Sequence, residues 1–152
     1  MPLPERDLSY FIDVTLSHLN KLTGNEIVLR DPSIEFQSLL FSACTGLIHL
    51  KGGVEGFIYV TASQHFLQHL AHFGGSRFTE DNAREVMGDV ANTIASNVHK
   101  RFGPALNISE PRVFSTVPDD PIEMPPAVFV LPLILHNEHA FLVLGITHAP
   151  LG

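Results

Sequence analysis

Cysteine is almost missing from this 152-residue chain, Cys44 being the single copy, so no intrachain disulfide is possible and a reducing compartment is the simplest home. Positive charge is also scarce. Nine Lys and Arg stand against sixteen Asp and Glu, for a formal net charge of −7, and no basic run exists. A nucleic-acid backbone or an anionic membrane rewards clustered Lys and Arg, so neither is expected as the main partner. Long hydrophobic runs are lacking as well. The longest, Ala127 to Leu135, is interrupted by Pro132 and falls far short of the ~20 residues a spanning helix needs. Near the start, Glu5, Arg6 and Asp7 stand where a secretory signal would be apolar, which leaves the cytoplasm as the expected compartment.

What remains is an apolar, weakly charged sequence. Hydrophobic residues make up 45% and charged residues 16%, which excludes disorder and calls for extensive burial in sheets or in a subunit contact. The length suits one domain, residues 1–152, able to bury a core without disulfides or metals.

Periodicity then gives the element order. Leu8, Phe11, Ile12, Leu16 and Leu19 recur at helical spacing between Glu5 and Leu22, with Gly24 where the helix stops. Ser33–Phe41 and Thr45–Leu50 are extended in character, and Gly52-Gly53 makes a turn before a third strand, Val54–Thr61. Ser63 is placed to cap a short helix with Phe66, Leu67, Leu70 and Phe73 inward, ending at Gly74-Gly75. Thr79 is placed to cap a longer one, from about Glu80 to Arg101, stopped by Phe102-Gly103-Pro104.

Ile108–Val117 reads as a strand, and Pro118–Pro126, with four prolines and three acidic residues, as a loop. Two apolar runs, Ala127–Leu135 and Ala140–Thr147, are joined by His136-Asn137-Glu138-His139 and form a hairpin. Strands that pair mostly with sequence neighbours, plus long helices, predict an α+β fold. It is a mostly antiparallel six-stranded sheet with the helices on one face.

The long third helix carries the chemistry. At 100° per residue, Ala83, Val86, Met87, Val90, Ile94 and Val98 form the stripe that faces the sheet. Glu85, Asp89, Asn92 and Ser96 cluster opposite, with Asp89 and Asn92 three apart and so neighbours on the helix surface. A carboxylate can fasten to a cation on a partner, while an amide offers one water both a donor and an acceptor. Hydrolysis of a phosphoryl group through a loose, in-line transition state needs little more than such positioning. With sixteen acidic residues and seven Asn, roughly 0.7 such pairs arise by chance, so the spacing alone is not diagnostic.

Context sharpens it. The stretch Met87-Gly88-Asp89-Val90-Ala91-Asn92-Thr93-Ile94-Ala95-Ser96-Asn97 resembles the signature helix of the CheC/CheX/FliY chemotaxis phosphatases: Gly, an acidic residue, two residues, Asn, then small residues. Gly52-Gly53-Val54-Glu55-Gly56 upstream and Ile108-Ser109-Glu110-Pro111-Arg112-Val113 downstream resemble further landmarks of the CheX type, and the likeness runs from about residue 5 to 147. The CheC type carries two such motifs, and this chain has one acidic residue three before an Asn, so it resembles CheX.

The resemblance implies a CheC-like domain that hydrolyses the aspartyl phosphate of a CheY-like response regulator, in chemotaxis or a related two-component pathway. It implies that Asp89 grips a lysine of the regulator and Asn92 orients the attacking water; Glu85 and Ser96, on the same polar face by the helix wheel, are the expected partner-binding residues. It further implies no metal or cofactor of the chain's own, Mg²⁺ brought by the regulator, and a homodimer, for which the apolar terminal strands would give a sheet-extending contact. One departure stands out: Asp89 replaces the family's usual Glu, shortening reach by about 1.5 Å. A catalytically weakened module that docks a signalling partner without hydrolysis is therefore the alternative.

Other candidates are weaker. His65, His69 and His72 fall at i, i+4 and i+7, a zinc-like spacing with no companion HExxH or cysteine. His136 and His139 read as polar turn residues, Cys44 as a small buried residue, and Gly52-Gly53 as a turn without the Lys-Ser/Thr of a phosphate loop.

Overall fold

The computed structural model describes residues 5–24, 27–36, 41–52, 54–73, 79–103, 106–115 and 127–148. Three helices, α1 (Glu5–Thr23), α2 (Gln64–Phe73) and α3 (Glu80–Phe102), accompany eight strands. These are β1 (Val28–Leu29), β2 (Ser33–Phe36), β3 (Cys44–Lys51), β4 (Val54–Ala62), β5 (Asn107–Ile108), β6 (Arg112–Phe114), β7 (Ala127–Leu135) and β8 (Glu138–His148). All pair antiparallel in one sheet of order β1-β7-β8-β4-β3-β5, with β2 also on β7 and β6 also on β3. The expected α+β sheet is present.

Eight strands lie in six rows, because each edge row is broken in two. β1 and β2 share the outer side of β7, separated by Arg30-Asp31-Pro32, and β5 and β6 share the outer side of β3, separated by Ser109-Glu110-Pro111. Proline cannot donate to a ladder, so sheets confine it to edges and interruptions. The predicted strand Ile108–Val117 is therefore two short ones, and the two-residue β1 is too short to show as a periodic signal. At the second break Ser109 substitutes for ladder groups: its N–H donates to His49 O at 3.0 Å and its Oγ accepts from His49 N at 2.9 Å.

The terminal hairpin is tighter than the four linking residues suggested. His136 and Asn137 alone make the turn, both with positive φ, 49° and 67°, as a two-residue turn matching strand twist demands. Its strands fill the middle of the sheet, with β8 lying between β7 and β4. They therefore cannot give an edge contact to a second copy. Among the described residues the outer rows of the sheet are β1/β2 and β5/β6.

Sheet burial is two-sided. Ile48, Leu50, Ile58, Val60, Leu131, Leu133, Leu142 and Leu144 pack with the buried residues of all three helices. Leu47, Phe57, Tyr59, Val128, Val130 and Val143 form a second buried cluster on the alternate strand positions, with Phe41 stacked on Tyr59 at 5.0 Å. This explains why the central strands read as continuous apolar runs rather than alternating ones.

The expected caps hold. Ser63 Oγ accepts from Phe66 N at 3.1 Å, Thr79 Oγ1 accepts from Asn82 N at 3.0 Å, and Gly24 and Gly103 close α1 and α3 at φ 65° and 85°. Gly53, the Gly74-Gly75 stop and the Pro118–Pro126 loop lie outside the described residues. Among the described residues no helix is long and apolar enough to cross a membrane.

Candidate functional site

Helix α3 is seated by an interior glycine. A Cβ on Gly46 of β3 would lie 2.5 Å from Met87 O and 3.4 Å from Ala91 Cβ, so the absent side chain lets the helix backbone lie directly on the sheet. Ala83, Met87, Val90, Ala91, Ile94 and Val98 are buried beneath it and Val86 is half-buried, which is the predicted stripe with Ala91 added. Further fastenings come from Arg84 Nη2, which donates to Val113 O at 3.2 Å, and from Tyr10 Oη of α1, which donates to Asn97 O at 2.8 Å. The helix is held from below and from both sides.

Its outward face carries Glu85, Asp89, Asn92 and Ser96, all four exposed. Among the described residues, no hydrogen bond or ion pair occupies any of these side chains. Asp89 and Asn92 stand on adjacent turns, about 5–6 Å apart at Cβ by helix geometry. One face thus presents a free carboxylate, a free carboxamide, a second carboxylate one turn toward the N-terminus and a hydroxyl one turn toward the C-terminus. That face can accept from a cation and orient a water. Its rigidity comes from the sheet beneath it, so the two groups need no ordering on encounter.

Gly88, beside Asp89, is not required by packing. A Cβ there would meet Val113 Cγ2 at 3.7 Å, ordinary contact, and alanine is the better helix former. Gly88→Ala is expected to raise stability by about 0.5–1 kcal/mol in a denaturant titration. A fall in stability would show that α3 packs more tightly there.

Two half-buried histidines have pKa values pushed below 6.5. His18 on α1 is lowered mainly by burial, then raised by the Asp89 carboxylate and lowered by Lys21; His49 on β3 is lowered by burial and by Arg112. The unfolded chain therefore binds more protons than the native state once the pH drops below 6.5. The stability these neutral rings contribute is complete above that value and is lost as pH falls toward the lowered native values. Thermal melts should show acid destabilisation beginning near pH 6.5 and a shallower decline for the double variant His18→Gln, His49→Gln. Identical declines would place the acid sensitivity elsewhere.

The other candidates separate from this face. Among the described residues no three His, Cys, Asp or Glu are grouped to hold a metal ion. His65 is exposed, and His69 tilts against His136 of the hairpin turn at 5.0 Å between ring centroids, while the His72 side chain lies outside the described residues. His139 stacks on Phe141 at 6.1 Å, and Cys44 is buried. Two contributors escaped sequence reasoning. Gly46 had a readable signal, since glycine inside a strand marks a close backbone approach. His18 had none, because the influence of the Asp89 charge on it depends on how two helices pack.

A single antiparallel sheet with three helices is the fold that this chain shares with solved CheC-like proteins. A family model described as chemotaxis phosphatase CheX matches residues 44–119, from β3 through α3 and past β6, and the chain belongs to that family. Solved structures agree in fold. A CheC-like superfamily protein from Shewanella sp. PV-4 superposes with a TM-score of 0.80 at 14% identity, over 95% of this chain and 99% of its own. The chemotaxis protein CheX from Vibrio vulnificus gives 0.76 at 15%, over 92% and 98%. A chain of the CheX–CheY–BeF3–Mg²⁺ complex from Borrelia burgdorferi gives 0.69 at 16%, over 93% and 97%. Comparison with curated protein sequences gives no match.

Proposed function

We propose that this chain is a phosphatase for the aspartyl phosphate of a CheY-type response regulator, with Asp89 and Asn92 at its active face. The observation that carries the reading is the free, exposed Asp89–Asn92 pair on a helix locked to the sheet, inside the segment that matches the CheX family. Asp89 takes a lysine of the docked regulator, and the Asn92 carboxamide holds a water in line with the phosphorus. Attack by that water breaks the bond between phosphorus and the regulator's carboxylate oxygen, releasing inorganic phosphate and the free aspartate. Glu85 and Ser96 contact the regulator above and below the pair.

The chain supplies no metal. Mg²⁺ arrives with the regulator and neutralises charge on the phosphoryl oxygens, a division of labour in keeping with the Borrelia burgdorferi complex, which pairs CheX with CheY, BeF3 and Mg²⁺. The working unit is a cytoplasmic homodimer. Support comes from β1/β2, an outer row of the described sheet, where Val28 and Ile34 are 50% and 61% exposed. Sedimentation of the purified protein tests this directly.

A second reading, a docking module without hydrolysis, is favoured by the short Asp89 side chain. One comparison tests both. Phosphate loss from a panel of phosphorylated regulators of the same cell is followed with wild type and Asp89→Glu. Acceleration by wild type, matched or exceeded by little in the variant, supports an adapted enzyme. A variant faster by about 10²-fold, the cost of a ~1 Å misplacement, supports the docking module. No acceleration of any regulator by wild type or by the variant rejects the phosphatase reading.

A further inference from the structure

Glu85, Gly88, Asp89 and Asn92 stand at i, i+3, i+4 and i+7 of α3 and so bound one diamond on the helix surface, the hole into which a facing structure sets a single knob. Three corners carry exposed polar side chains. The fourth, Gly88, carries none and is half-buried. Side chains on a helix lean toward its N-terminus, so the Asn92 carboxamide lies over the turn that holds Gly88 and Asp89. The diamond is therefore low on its Gly88 side.

Nothing described within the chain asks for that gap. A Cβ on Gly88 would meet Val113 Cγ2 at 3.7 Å, in contrast to Gly46, where it would meet helix backbone at 2.5 Å. The Gly88 backbone is helical and its φ is not positive, so conformation does not require glycine either. After proline, glycine is the poorest residue for a helix interior. A local rule broken without internal compensation marks a place shaped by something outside the fold. The flank beyond it is fixed: Arg84 Nη2, donating to Val113 O at 3.2 Å, ties the guanidinium to β6, and Val113 packs half-buried against the core. Whatever enters over Gly88 has helix backbone beneath it, Val113 on one side, and Asp89 and Asn92 on the other.

Resting on the reading of Asp89 and Asn92 as the pair that acts on an aspartyl phosphate, we infer that Gly88 sets how deeply the regulator docks. The phosphoaspartyl side chain enters the diamond over Gly88, which brings its phosphorus within reach of the water on Asn92. A residue with a Cβ raises the floor by about one C–C bond, roughly 1.5 Å. The short Asp89 side chain needs the same closeness to reach its lysine. Depth of approach, rather than charge, is what position 88 selects.

The test follows phosphate release from a CheY-type regulator of the same cell, phosphorylated with acetyl phosphate, together with thermal melts, for wild type, Gly88→Ala and Asn92→Ala. Gly88→Ala should melt about 1–4 °C above wild type yet release phosphate about 10²-fold more slowly, opposite signs that a merely structural glycine does not give. Gly88→Ser, larger by one further atom, should be no faster. A wild-type rate in Gly88→Ala overturns the inference. So does a lowered melting temperature, which would place the glycine in the packing of α3. Asn92→Ala separates the two layers. Full activity in that variant, or none in wild type, rejects the functional reading and this inference with it, whereas loss in Asn92→Ala beside a wild-type rate in Gly88→Ala rejects only the role of Gly88.

Discussion

Replacing Asn92 with alanine is expected to reduce regulator dephosphorylation by about 10²- to 10³-fold, the usual scale for removing one positioned donor from a reacting centre. Stability should stay within about 0.5 kcal/mol of wild type, because Asn92 is exposed and its face of α3 touches no part of the sheet. The pairing of a large kinetic loss with an intact fold distinguishes water positioning from general damage. Asn92→Asp sharpens the point. It keeps the shape but loses the N–H donor and adds a charge facing the phosphoryl oxygens, so it should be no better than alanine. If phosphate release persists in both variants while melting curves coincide with wild type, water is positioned by another residue.

Gly46→Val should have the largest effect on folding. The added Cβ would lie 2.5 Å from Met87 O and 3.2 Å from Met87 C, and both are helix backbone rather than a side chain that can rotate away. α3 must lift from β3. Overpacking of this kind costs about 1–3 kcal/mol, and the branched side chain places the expectation at the upper end, near 3 kcal/mol. For a chain of this size that is a fall in melting temperature of about 6–12 °C. At temperatures where the variant is still folded, activity should fall with it, because a ~1 Å shift of the helix misplaces Asn92 against a docked regulator. Gly88→Ala is the natural control for melting, since it adds one methyl to α3 itself, where the new Cβ would meet only an ordinary contact, Val113 Cγ2 at 3.7 Å. Wild-type melting and activity in Gly46→Val would mean that the helix does not rest on that glycine.

Much of this was legible because local chemistry and tertiary packing agree. Thr79, Gly103 and the Ala83–Val98 stripe each announce α3 through an independent physical signal, and the structure uses all three. The outward placement of Asp89 and Asn92 follows from the same periodicity, so the candidate face was visible without coordinates. What could not be read are properties of alignment. The broken edge rows depend on where Pro32 and Pro111 fall opposite β7 and β3, and the packing of α1 on α3 joins Tyr10 to Asn97, 87 positions apart. Interior strands buried on both faces also hide their own order. Val128 and Leu131 look alike in sequence, yet they belong to opposite sides of the sheet.

The position of β8 has a consequence for how the chain comes to be made. It follows every other described element in sequence, yet it is the strand that joins the β4–β3 half of the sheet to β7. Until it emerges from the ribosome, β4 and β7 each present an open apolar flank, and neither half can be completed. α3, with its candidate face, can meet β3 before that moment, while the closing of the sheet waits for β8. A released chain cut before Glu138 would therefore hold two sticky half-sheets, which makes the interval before β8 pairs the one in which this fold most needs a chaperone.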